Sequence, residues 1–147
     1  MGDPPDPFRV VADADVLAAD LLVGGPSREA LGMLREHPPF ALVTTDRVLA
    51  DARAVIGTLS ADRLAADWEE RIRTEAEVLG PAPAGHPAIA AAAAGDAATV
   101  LSLDPRLQSA KAGAAIRSQV ATSVKSPAAF VALVDPDTFF ADEPTDG

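Results

Sequence analysis

Four aspartates and one histidine are the residues of this sequence best placed to do chemistry. Asp13 and Asp15 directly follow the run Phe8-Arg9-Val10-Val11-Ala12, and Asp104 directly follows Thr99-Val100-Leu101-Ser102-Leu103. Asp51 lies inside a helical pattern, and His86 opens an alanine-rich segment. An acid at the carboxyl end of a buried strand faces the crevice where open α/β sheets bind ligands. Several acids converging there repel one another unless a cation sits among them, so their clustering predicts a metal. Each residue also has a purely structural role open to it. Asp13 and His86 could cap helices, Asp15 could complement a helix dipole, Asp51 could be a surface acid, and Asp104-Pro105 could open a turn.

Strands alternating with helices must position these residues. Phe8 to Ala12 reads as a short buried strand, and Asp13 opens a helix carrying Val16, Leu17 and Leu21 that Gly24-Gly25 ends. Pro26-Ser27 is expected to start a second helix with Ser27 as its cap, stopped by Pro38-Pro39. Phe40 to Val43 is the second strand, and Thr44-Thr45 caps a third helix with Val48, Leu49, Ala52, Val55, Ile56 and Leu59 at helical spacing. Asp51 borders that stripe, which predicts a side chain turned away from open water. Ser60 should cap a fourth, charged helix reaching about Leu79, with Leu64, Trp68 and Ile72 inward. After the proline-rich loop 80–85, His86-Pro87 opens the run Ala88 to Ala94, closed by Gly95. Val100 to Leu103 reads as the third clear strand, residues 119–124 as the last, and Ser126-Pro127 as the start of a closing helix through Leu133. This alternation predicts an α/β three-layer sandwich around a central parallel sheet. Residues 8–134 form the expected domain, between an acidic, proline-rich start (1–7) and an acidic tail (135–147).

Composition sets the surroundings. The chain has 147 residues, no cysteine and 48% apolar residues, which excludes intrinsic disorder, disulfides and a thiolate zinc site. No apolar run approaches the ~18 residues that span a bilayer, and the amino terminus lacks the pattern of a signal peptide. A cytoplasmic protein is the expectation. Net charge is −10, from 22 acids against 12 bases, of which Lys111 and Lys125 are the lysines. Acid excess with scarce lysine and few aromatics suggests adaptation to molar salt. At about 1 M salt the Debye length is only about 3 Å, so such a net charge does not exclude nucleic acid.

The ordered motifs resemble those of the PIN domain family across residues 8–134. Val10-Val11-Ala12-Asp13-Ala14-Asp15 is similar to the family's opening motif. Val43-Thr44-Thr45-Asp46-Arg47-Val48-Leu49-Ala50-Asp51 is similar to its helix-borne acid, with Asp for the more usual Glu. His86 and its alanine run, followed by Thr99-Val100-Leu101-Ser102-Leu103-Asp104, resemble the late half. The resemblance implies a PIN-like ribonuclease that uses Mg²⁺ or Mn²⁺ to hydrolyse RNA phosphodiester bonds. Asp13, Asp51 and Asp104 would be metal ligands and catalytic residues, Asp15 a supporting or water-mediated ligand, and Ser102 and Thr44 supporting hydroxyls. A homodimer and an antitoxin-like partner are further implications, as for the toxin of a toxin–antitoxin pair.

His86 departs from the family, which has Asp at that place. An imidazole weakens a magnesium site and suits Mn²⁺ or Zn²⁺ better. Asp96, at the far end of the same helix and roughly 15 Å away, cannot replace it. Arg47, Arg53 and Arg106 are the arginines nearest the acids and the candidates to contact phosphate. An impaired PIN-like module that binds without cleaving is the main alternative. Two others are a haloacid-dehalogenase-like phosphatase, whose nucleophile motif Asp13-Ala14-Asp15 resembles with Thr44 after the second strand, and a receiver domain using Lys125.

Overall fold

The computed structural model describes residues 4–109 and 122–134. Five strands form one all-parallel sheet: β1 (Asp6–Ala12), β2 (Ala41–Thr45), β3 (Glu77–Leu79), β4 (Ala97–Leu101) and β5 (Ser123–Lys125), in spatial order β3-β2-β1-β4-β5. Helices α1 (Ala14–Leu22), α2 (Gly25–Glu36), α3 (Asp46–Leu59), α4 (Asp62–Glu75), α5 (Pro87–Gly95), α6 (Pro105–Gln108) and α7 (Pro127–Leu133) flank it. The expected α/β sandwich with a central parallel sheet is the architecture observed. All carboxyl strand ends lie on one edge, because every pairing is parallel.

The centre of the sheet is its most apolar part. Val10, Val11, Ala12, Val43, Val100 and Leu101 are fully buried, as a sheet covered on both faces requires. Trp68 and Ile72 of α4 and Phe130 of α7 close the core. Helix α5 is almost all alanine and glycine because it lies very close to the sheet. A Cβ at Gly95 would meet Leu79 Cδ1 and Val43 Cγ1, each at 2.8 Å.

Several element boundaries differ from expectation, each for a local reason. Gly24 and Gly25, at φ 87° and 61°, make the turn between α1 and α2. Helix α2 thus starts at Gly25 without a side-chain cap, and Ser27 is buried inside its first turn. Helix α4 starts after Ala61, because Ser60 still closes α3. It ends at Glu75 and the chain turns into β3, an edge strand that three residues without β-branched continuity do not announce. Ala65 is buried in place of Leu64, which is partly exposed. Strand β1 begins at Asp6, β4 covers Ala97–Leu101, and the described part of the last strand is Ser123–Lys125. Positions 119–121 of that expected strand, residues 1–3 and the tail from 135 lie outside the described residues.

Candidate functional site

The strand order reverses direction between β1 and β4: the chain leaves β1 toward β2 and β3, then returns past it to β4 and β5. Ligand crevices of parallel sheets open at such a switch point, outside the carboxyl ends of the strands. Asp13 and Asp15 follow β1, and Ser102 and Asp104 follow β4, so all four lie at that point. The two strand ends are tied there by the backbone. Asp13 N donates to Leu101 O at 2.8 Å, and Ser102 N donates to Lys125 O of β5 at 3.0 Å.

Side chains continue the connection. Asp13 caps α1, its Oδ1 accepting from Ala14 N at 2.8 Å. Its Oδ2 accepts from the Ser102 hydroxyl at 3.0 Å, and the same Ser102 Oγ accepts from Asp104 N at 3.1 Å. Ser102 is fully buried, so this one hydroxyl fixes both acids relative to each other. Asp15 Oδ2 accepts from Leu103 N at 3.2 Å, across 88 positions of sequence. Its Oδ1 is buried and has no hydrogen-bond partner. Burial, and then the charge of Asp13, push the Asp15 carboxyl up to about 6, with Asp104 adding in the same sense.

Asp104 caps α6 by accepting from Arg106 N at 2.9 Å. The Arg106 side chain turns back onto it, Nε lying 3.3 Å from Oδ1 and Nη2 3.4 Å from Oδ2. These two Arg106 contacts, the backbone one first, hold the Asp104 carboxyl below the usual range, and His86 contributes in the same direction. His86 caps α5, its Nδ1 accepting from Ala88 N at 3.2 Å. A neutral ring with Nδ1 as acceptor carries its proton on Nε2. That nitrogen faces Asp13 Oδ2 at 3.8 Å, which makes His86 a proton-bearing neighbour of the acids.

Of the expected site residues, Asp13, Asp15, Ser102, Asp104 and His86 come together. Asp51 does not join their hydrogen bonds and ion pairs. It pairs with Arg47 at 3.6 Å, and its side chain is 45% exposed, so it faces solvent more than its place beside the stripe predicts. Thr44 is buried within β2 with an unpartnered hydroxyl, away from these contacts. Asp96 terminates α5 in a left-handed conformation at the amino end of β4, remote from the carboxyl edge as the helix length predicts. The helix-capping roles open to Asp13, His86 and Asp104 are all realised, and the contacts to one another come in addition.

Beside the acids runs an apolar groove of about 470 Å³ between α1 and α3, lined by Asp13, Asp15, Ala18, Leu22, Val55 and Leu59. Among the described residues no three His, Asp or Glu side chains stand at metal-ligating spacing. The donor set nevertheless fits a hard cation in kind. Three carboxylates interact electrostatically, and Asp15 offers a buried oxygen with no partner.

Fold and site together define an α/β protein with an acid-lined crevice at the switch point of a parallel sheet. Within that class, the chain belongs to DUF7384, a family of unknown function, whose family model matches residues 4–147. No curated protein matches it. Among the described residues no helix is long and apolar enough to cross a membrane.

Proposed function

We propose that the chain is a PIN-like, divalent-metal-dependent phosphodiesterase acting on RNA, with Asp13, Asp15 and Asp104 as its metal-holding acids. The observation that carries this reading is the Asp13–Ser102–Asp104 linkage at the switch point, with the unpartnered Oδ1 of Asp15 beside it. A bound Mg²⁺ or Mn²⁺ would supply the acidified water and the neutralisation of phosphate charge that phosphodiester hydrolysis needs. The protein's own residues do the rest. Ser102 holds Asp13 and Asp104 in register, Leu103 N orients Asp15, and the His86 Nε2 proton faces Asp13, where it can balance negative charge. The apolar groove offers a flank on which a nucleotide next to the cleaved bond can rest.

A second reading, a PIN-like module that binds without cleaving, is favoured by one specific feature. Arg106 covers Asp104, and Asp51 is engaged with Arg47.

The two readings separate in one experiment. Mn²⁺ titration calorimetry in molar KCl, paired with cleavage of a single-stranded RNA, compares the wild type with Asp13→Asn and Asp15→Asn. Micromolar Mn²⁺ binding and Mn²⁺-dependent cleavage, both lost in the variants, support the nuclease. Binding without cleavage favours the module, and no binding sinks the metal site itself.

A further inference from the structure

The three arginines nearest the acids in sequence have different engagements. Arg47 pairs with Asp51 on the same helix, and Arg53 reaches from α3 to Glu69 on α4. Arg106 alone of the three lies on an acid of the site, its guanidinium edge against both oxygens of Asp104. Most other ion-paired arginines tie elements together: Arg9 to Glu77 joins β1 to β3, Arg35 joins Asp20 of α1 to Glu75 of α4, and Arg73 joins α4 to Asp46 of α3. Arg106 reaches only two residues back to the cap of its own short helix, and its side chain is 91% exposed. Such a contact adds nothing to the joining of elements, and an exposed pair is easily broken.

The geometry points to Arg106 as an internal latch, which rests on Asp104 in the free protein and transfers to a substrate phosphate when a divalent cation takes its place. This inference rests on the metal-site reading above. Two features make the exchange feasible. The Arg106 backbone N–H holds Asp104 Oδ1 at 2.9 Å independently of the side chain, so the acid stays oriented after the guanidinium leaves. The guanidinium fork that fits a carboxylate fits a phosphate equally well, and two cations on one carboxylate repel each other. Arg106 would then be released where the scissile phosphate arrives.

The test pairs two affinities that must move in opposite directions. Mn²⁺ binding is measured by calorimetry, and binding of a labelled 2′-O-methyl oligouridylate, which resists cleavage, by anisotropy at saturating Mn²⁺. Removing a competing exposed cation in Arg106→Ala should tighten Mn²⁺ by about threefold. The same change should weaken the oligonucleotide, with a salt slope about one unit shallower. Arg106→Lys, which keeps the charge and loses the fork, should fall between. General damage would weaken both affinities, so opposite signs identify the exchange. Unchanged or weaker Mn²⁺ binding in Arg106→Ala, or unchanged oligonucleotide binding, overturns the latch and leaves the metal site standing. Absence of Mn²⁺ binding in wild type and variant alike overturns the metal site and the latch with it.

Discussion

Asp15 carries an electrostatic cost that a stability measurement can read. Its carboxyl is raised to about 6 by burial and by the charge of Asp13, against about 3.9 in an unfolded chain. Between those values the folded form keeps a proton that the unfolded form has released. The group therefore favours folding below about pH 4, and that contribution is lost as pH rises through 6. At neutral pH the fold holds a partly buried charge without a partner on Oδ1. Asn at this position keeps an oxygen for Leu103 N and never ionises. Asp15→Asn should thus be more stable than wild type by about 1–2 kcal/mol at pH 7, after allowance for solvent screening, and equal to it at pH 4. Urea unfolding across that range checks it, and a difference independent of pH would refute it. At this scale much of the site was legible, because an acid just past a strand can point only into the crevice. Asp51 was not, since helical periodicity gives an angle around the axis and says nothing of whether a nearby arginine will claim the side chain. The bond from Leu103 N to Asp15 had no local signal either, because its partners are 88 positions apart.

Elements were legible where side chains left a strong pattern. Thr45 and Ser126 cap α3 and α7 as their sequences announce, accepting from Val48 N and Ala129 N. Strand β3 left no such pattern. It follows a charged helix, begins with exposed Glu77, and is only three residues long, so its existence depends on pairing with β2 through Val43, Thr44 and Thr45. Helix α5 illustrates the reverse case, where composition foretells packing. Its small residues allow a close approach to the sheet, and Gly95 sits where Leu79 of β3 and Val43 of β2 meet the helix. A single methyl there must displace two well-packed side chains. Gly95→Ala should cost about 1–3 kcal/mol despite the higher helix propensity of alanine, because overpacking outweighs a gain of at most ~1 kcal/mol. Thermal unfolding decides the sign, and a stabilised Gly95→Ala would show that the approach is looser than the geometry requires. Because β3 is an edge strand, the same variant should also loosen the carboxyl edge beside the loop that carries His86.

For the molecule as a whole, two electrostatic effects oppose each other when salt is added. Ion pairs join α3 to α4 through Arg53, Glu69, Arg73 and Asp46, β1 to β3 through Arg9 and Glu77, and α1 to α4 through Arg35. Salt weakens these, but exposed pairs contribute only about 0–1 kcal/mol each. Against them stands a net charge of −10 on 147 residues, whose self-repulsion disfavours the compact state and is also screened. The pairs are short-range contacts, most of them under 3.2 Å, whereas repulsion among surface acids acts over distances that a Debye length of about 3 Å at 1 M salt cuts off. Screening therefore removes more repulsion than attraction. The melting temperature should rise by several degrees between about 0.1 M and 2 M KCl, since ~1 kcal/mol shifts a domain of this size by roughly 2–8 °C. KCl is the salt to use, because a sulfate would stabilise any fold by its exclusion from the surface and so hide the electrostatic effect. A melting temperature that falls with KCl would mean that the interhelical pairs dominate, and that the acid excess has no part in adapting the protein to salt.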